Sequence, residues 1–175
     1  MTDLQTLPPS AIDLLSALDR SLTLLAVDAP RHALVHAFHG RGLVVVHSMG
    51  LGAPLAIELL NGTPDVDVEL LAHGGVQTMA PGVAVIGRRA TGAFEASSLD
   101  GLLRGLGVGP LVVCGSDATG AVVASVREAR LRGFEVLVVE DAVAPWDDAR
   151  RARVESWGAA LISTVDALGR LSGVA

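Results

Sequence analysis

One stretch near the middle of the 175-residue chain constrains its fold most strongly. An unbroken apolar run at Leu111–Cys114 stops at a glycine and leads into a short polar turn. Apolar residues then recur at helical spacing over residues 121–129, and Gly133 stands where helices commonly end. A second apolar run, Phe134–Val139, follows. This order predicts a βαβ unit with parallel strands that are covered on both faces. Ligands of such sheets bind beyond the carboxyl ends of the strands, so the turn at residues 115–121 marks the expected site.

The rest of the chain alternates between further predicted strands and helices. Strands are predicted at residues 21–27, 42–46, 83–86 and 160–163, and helices at residues 10–20, 30–40, 53–61, 98–105, 146–157 and 165–171. Residues 63–81 are rich in turn residues, and no element is predicted there. The alternation predicts a single α/β domain over residues 1–175, with residues 1–20 as an N-terminal arm and helix. We expect a three-layer, doubly wound sheet of about six mainly parallel strands, with the Leu111 strand central.

Composition narrows the class of partner. A net charge of −6 argues against nucleic acid, which requires a basic surface. No apolar run reaches the ~18 residues of a membrane span, and no secretion signal is recognised, so no membrane partner is expected. The single cysteine, Cys114, suits a reducing compartment, which predicts a cytoplasmic location. Only 18% of the residues are charged, and this sparse charge favours a homo-oligomer, dimer or higher, with Trp146 and Trp157 as candidate contacts.

Three segments carry a family pattern. They are the βαβ unit with Gly115, Val122, Gly133, Val136–Val139 and Asp141-Ala142, the strand Leu24–Asp28, and the segment Ile86–Phe94, which reads IGRRATGAF. In these segments the chain resembles the isochorismatase-like cysteine hydrolases. Leu24–Asp28 is similar to the family's first strand, which ends in a catalytic aspartate, and Ile86–Phe94 is similar to its K-x-R-x-S-A-F segment.

The resemblance implies which positions would carry the chemistry. In the family an aspartate takes the proton of a cysteine thiol, a lysine favours both anions, and backbone N–H groups beside the cysteine hold the oxyanion. The matching positions here are Asp28 for the aspartate, Arg88 for the lysine and Ala121 for the cysteine. Alanine cannot act as a nucleophile, so amide hydrolysis through a thioester is not expected. Arg88 keeps the positive charge but cannot serve as an acid or base.

Two functions follow from the resemblance, and both stay open at this point. A non-thiol, degenerate member or pseudoenzyme would bind a small anionic molecule, with Ser116, Asp117, Thr119 and Phe94 as contacts. A cysteine-less isochorismatase-type hydrolase would instead use Asp28 as a general acid to cleave a vinyl ether in a small carboxylate substrate. Neither function requires a metal or a cofactor, and none is expected.

The resemblance also implies a backbone feature in the turn before the helix. The family carries a non-proline cis peptide there, which would be the Ser116–Asp117 bond in this chain. Thr119 would cap the helix that follows.

Several polar residues have structural interpretations that compete with functional ones. Asp28 can cap the next helix, and Cys114 fits a buried core position. Three histidines, His32, His36 and His39, stand at helical spacing. They favour a solvated or partly buried helix face over a zinc site. The charges at residues 146–157 favour a solvent-facing helix.

Ser48 allows a third, disfavoured function. It follows a predicted strand, as the nucleophile of a serine hydrolase does. The triad histidine of that class should come late in the chain, but no histidine follows His73.

Overall fold

The computed structural model of the chain describes residues 22–28, 33–50 and 66–172. In chain order the elements of these ranges are β1 (Thr23–Val27), α1 (Ala33–Gly40), β2 (Val45–Gly50), α2 (Val68–Ala72), β3 (Val76–Ala80), β4 (Val83–Arg88), α3 (Leu99–Gly105), β5 (Leu111–Ser116), α4 (Ala121–Leu131), β6 (Val136–Ala144), α5 (Asp148–Ser156), β7 (Ala160–Ile162) and α6 (Thr164–Ser172). None of the helices described is long and apolar enough to cross a membrane.

The strands form one seven-stranded sheet in the order β3-β4-β2-β1-β5-β6-β7. All neighbouring strands are parallel except β3, which pairs antiparallel with β4 at the edge. The predicted α/β fold and the βαβ unit β5-α4-β6 are therefore confirmed. The central position belongs to β1, with β5 beside it.

The additional strand, β3, lies in the region where no element was predicted. It joins β4 through the two-residue turn Pro81-Gly82, and Gly82 has a φ of +75°. A positive φ at this position is typical of glycine in a tight turn. Four of the five residues of β3 are half-buried, so the strand lacks the apolar run that identifies its parallel neighbours.

Two parallel strands continue beyond their apolar runs. β2 extends through His47 and Ser48 to Gly50, and β6 extends through Glu140 and Asp141 to Ala144. Backbone pairing with β4 carries His47 and Ser48 into the sheet, although their polarity predicted an earlier end of β2. Glu140 and Asp141 lie in an irregularity of β6, and pairing with β5 resumes beyond them at Val143 and Ala144.

The predicted helices differ from the observed ones mainly at their ends. The helix expected at residues 146–157 begins at Asp148, because the Asp147 carboxylate accepts a hydrogen bond from the Arg150 backbone N–H at 2.8 Å and caps it. Gly133 follows α4 with a φ of +86°, as predicted. The helices expected at residues 10–20 and 53–61 lie outside the described residues.

The sheet separates two apolar cores. The core on one face is formed with α3, α4 and α5, and the core on the other face with α1 and α6. Alternation along β5 directs Val113 into the first core and Cys114 into the second. Because Ala121 belongs to the first core, it lies on the opposite face of the sheet from Cys114.

Candidate functional site

A buried ion pair lies at the carboxyl ends of β1 and β4. The Arg88 Nη2 atom donates to Asp28 Oδ2 at 2.6 Å, and the Gly50 N–H donates to Asp28 Oδ1 at 2.9 Å. Since β2 runs between β1 and β4, the pair spans the end of β2 at Gly50. A Cβ atom at Gly50 would lie 2.8 Å from Arg88 Nη2, so a larger residue here would displace the guanidinium from its present position beside Asp28.

Asp28 is held at the end of β1 by both its backbone and its side chain. Its φ is +47°, a left-handed conformation that aspartate tolerates better than most residues, and its N–H donates to the Ser48 carbonyl at 2.9 Å. Both carboxylate oxygens accept hydrogen bonds, one from Gly50 of β2 and one from Arg88 of β4. The predicted cap on the following helix involves residues outside the described ranges.

Arg88 retains donors beyond those that hold Asp28. A guanidinium has five N–H donors, and contacts with described residues use two of them, on Asp28 Oδ2 and, at 3.4 Å, on the Ser48 carbonyl. The residue is only 8% exposed, so its guanidinium lies inside the molecule and not on the surface.

Ser48 does not have the surroundings of a serine nucleophile. Its side chain is fully buried, and its Oγ atom has no hydrogen-bond partner among the described residues. The neighbouring His47 points to the other face of the sheet by alternation, and burial lowers its pKa. The geometry therefore gives no support to a serine hydrolase.

The start of α4 is occupied by the carboxylate of Asp117. This side chain is 1% exposed, and its Oδ1 atom accepts from the N–H groups of Val122 at 2.8 Å and Val123 at 3.1 Å. Its Oδ2 atom accepts from Arg150 Nε at 2.7 Å. The carboxylate thus fills an end of a helix that otherwise attracts anions.

Two predictions about this turn are wrong. Among the described residues the one cis peptide bond is Ala144–Pro145, so the Ser116–Asp117 bond is trans. In this conformation the Asp117 N–H donates to the Ala144 carbonyl at 2.8 Å, while the side chain reaches the helix. The cap position belongs to Gly120, at a φ of +77°, and the exposed Thr119 does not cap α4 because Asp117 supplies the acceptor.

Ala121 is fully buried at the first position of α4. It follows β5, which is packed tightly against β1, since a Cβ atom at Gly115 would lie 1.9 Å from the Val27 carbonyl oxygen. Asp28, Arg88 and Ala121 therefore all lie at the carboxyl edge of neighbouring strands. No acceptor for the Ala121 N–H is found within the described part of the chain.

The predicted ligand contacts are divided between the surface and the core. Ser116 is half-buried and Thr119 is exposed, whereas Asp117 is engaged as described. Phe94 is 2% exposed, and its ring centroid lies 5.7 Å from that of Phe134. Its ring is part of the core, so Phe94 anchors the loop after β4 to the core.

That loop is anchored by α4. Glu128 Oε2 accepts from the N–H groups of Phe94 at 2.9 Å and Glu95 at 3.2 Å, and Ser125 Oγ accepts from the Ala93 N–H at 3.0 Å. The sequence did not predict roles for Ser125, Glu128, Gly50 or Arg150. No local pattern identifies them, because each acts on a partner 22 or more residues away in the chain.

Cys114, His36 and His39 occupy core and surface positions. Burial raises the pKa of the Cys114 thiol to about 12, which agrees with its predicted core position. His36 and His39 are exposed, and His32 lies outside the described residues. Within the ranges described, no three His, Cys, Asp or Glu side chains are grouped closely enough to hold a metal ion.

A comparison of the sequence with known families gives one match. The family described as the isochorismatase domain matches residues 32–165 of the chain. The chain belongs to the isochorismatase family. No curated protein matches it.

Solved structures show that this family fold extends over most of the chain. An isochorismatase family protein from Burkholderia thailandensis is 24% identical with a TM-score of 0.61, over 89% of this chain and 97% of its own. A nicotinamidase/pyrazinamidase from Bacillus subtilis is 18% identical with a TM-score of 0.58, over 82% of this chain and 100% of its own. The MAR1 ribonuclease from Caenorhabditis elegans is 17% identical with a TM-score of 0.62, over 88% of this chain and 82% of its own. At these identities the likeness concerns the fold alone.

Proposed function

We propose that this isochorismatase-family protein has no thiol hydrolase activity and binds a small anionic molecule at the strand ends near Asp28, Arg88 and Ala121. The observation that carries the proposal is the position of the single cysteine. Cys114 is buried in the core on the opposite face of the sheet from Ala121, and burial raises its pKa to about 12. No thiolate is therefore available where the family's nucleophile would stand.

The side chains at the strand ends support anion binding. Arg88 has N–H donors in excess of those that hold Asp28, and the Ala121 N–H has no acceptor among the described residues. Arg88 is also a suitable replacement for the family's lysine as a binding group, since its planar guanidinium matches a carboxylate. The chain contains no lysine at all.

Binding can be tested with benzoate as a minimal carboxylate, by titration calorimetry. We expect Arg88→Gln to weaken binding by about tenfold or more, because a charge-assisted contact is lost. Arg89→Gln is the matched control, since Arg89 is the exposed neighbour, and it should bind as the parent protein does. Arg88→Lys retains the charge and should keep most of the affinity. Absence of saturable binding, or equal binding by Arg88→Gln and Arg89→Gln, would refute the proposal.

The loss of thiol chemistry predicts no hydrolysis of nicotinamide. The measurement is ammonia release by purified protein, with Asp28→Ala as the comparison. Turnover that is present in the parent protein and absent from Asp28→Ala would show that the site cleaves amides without a cysteine.

A cysteine-less hydrolase is the second candidate, and the retention of Asp28 beside Arg88 favours it. In this role Asp28 would protonate a vinyl ether, which water then converts into a carbonyl product and an alcohol. Because both Asp28 oxygens accept hydrogen bonds, Arg88 must move off Oδ2 before a proton can occupy it. The test is carbonyl release from a carboxylate-bearing vinyl ether, and this candidate requires that Asp28→Asn abolish the release.

A further inference from the structure

A cleft of about 480 Å³ lies between α4 and α5, on a different set of residues from the Asp28–Arg88 pair. Its walls include three arginines, Arg127, Arg150 and Arg153, together with Trp157. From this geometry we propose a second binding site, for a small phosphate monoester that carries a flat ring.

Of the three arginines around the cleft, one is paired with carboxylates and two are not. Arg150 forms ion pairs with both carboxylates of the lining, Asp117 and Asp147. Arg127 and Arg153 are exposed and have no carboxylate partner among the described residues. The three arginines and two aspartates leave the cleft with a net charge of +1 in a chain whose net charge is −6. Arginines that face one cavity without partners repel each other, and a bound anion removes this repulsion.

Arg150 provides a fixed donor at the base of the cleft. Its Nε atom is held by Asp117 and its Nη1 atom by Asp147, and the hydrogen bond to Asp117 raises its pKa. Its side chain is only 27% exposed. A guanidinium that is oriented in advance loses little conformational freedom when it binds a phosphate, and the planar fork suits the phosphate oxygens.

The apolar part of the cleft suits a ring. Val123 is 7% exposed, Ala124 and Trp157 are half-buried, and all three line the cavity. The volume lies within the range of about 300–1,000 Å³ that is usual for small-molecule sites. A ligand with a phosphate at the arginines and a ring against Trp157 would fill both parts.

The fluorescence of Trp157 offers a direct measurement. The chain has two tryptophans and no tyrosine, so Trp146→Phe leaves Trp157 as the dominant emitter. Phenyl phosphate is titrated at low salt into this protein, and inorganic phosphate serves as the ligand without a ring. We expect saturable quenching by phenyl phosphate and weaker binding of inorganic phosphate.

Two sets of variants separate this site from the proposed function. The double variant Arg127→Gln/Arg153→Gln changes only exposed side chains and should weaken phenyl phosphate binding by about tenfold or more. Arg89→Gln, at an exposed position outside both sites, should leave the quenching of Trp157 unchanged. Because the signal comes from Trp157 in the cleft, a failure of benzoate to bind at the strand ends leaves this result intact. The inference is overturned if the quenching does not saturate by about 10 mM phenyl phosphate, because such an affinity is too weak for specific recognition. It is equally overturned if the double variant binds as tightly as the parent, or if inorganic phosphate binds as tightly as phenyl phosphate.

Discussion

At the scale of single residues, Asp117 joins three elements through one carboxylate. It follows β5, caps α4 and pairs with Arg150 of α5. Asp117→Ala should lower the free energy of unfolding by about 2–4 kcal/mol, because it removes a helix cap and leaves Arg150 without a buried partner. Urea unfolding measures this change.

Asp100→Ala is the control for this prediction. Asp100 pairs with Arg104 in an exposed i, i+4 arrangement, for which a loss of no more than about 0.5 kcal/mol is expected. Equal losses in the two variants would contradict the structural role of Asp117.

His47 predicts a dependence of stability on pH. Burial lowers its pKa below the ordinary value of 6.5, so near and below that pH the unfolded chain binds a proton that the folded chain does not. Stability should therefore fall as the pH is lowered through 6.5, until the folded pKa is reached. His47→Gln should flatten this part of the profile, measured by urea unfolding from pH 7.5 to about 5. His36→Gln, at an exposed position, should leave the profile unchanged.

At the scale of elements, the contact between β1 and β5 depends on Gly115. Its φ is +133°, and a Cβ atom there would lie 1.9 Å from the Val27 carbonyl oxygen. Gly115→Ala should cost at least about 3 kcal/mol, or prevent folding, because backbone strain and a backbone clash combine. Thermal unfolding followed by circular dichroism is the measurement.

Gly101→Ala provides the opposite expectation for the same chemical change. Gly101 lies within α3, and nothing is found within 4 Å of a Cβ atom placed there. The variant should gain about 0.5–1 kcal/mol, since alanine loses less conformational freedom in a helix than glycine does. A similar loss in both variants would show that the β1–β5 contact is not the cause.

At the scale of the whole molecule, we propose that the chain forms a homo-oligomer. Its charged residues are sparse, and within the described ranges Leu131 and Val165 are large apolar residues that are mostly exposed. Light scattering at micromolar concentration should give the mass of a dimer or a larger assembly. The mass of a monomer would disprove this proposal.

The sequence by itself determined the fold class, the βαβ unit and the burial of Cys114. These properties follow from the periodicity of short segments and from the order of those segments along the chain, and neither depends on long-range contacts. The edge strand β3 escaped prediction because its half-buried residues have no such periodicity. The trans peptide before Asp117 was also missed, since the expectation came from family resemblance alone.

Only the tertiary structure decided how the charged residues are paired. Arg88 meets Asp28 across 60 positions of the chain, and Arg150 meets Asp117 across 33. Burial makes both pairings energetically important, because a charge removed from water needs a partner. No local pattern encodes which partner that is. The choice depends on which strand ends and helix ends the folded sheet brings together, and this is why the Asp117 carboxylate caps α4 and pairs with Arg150.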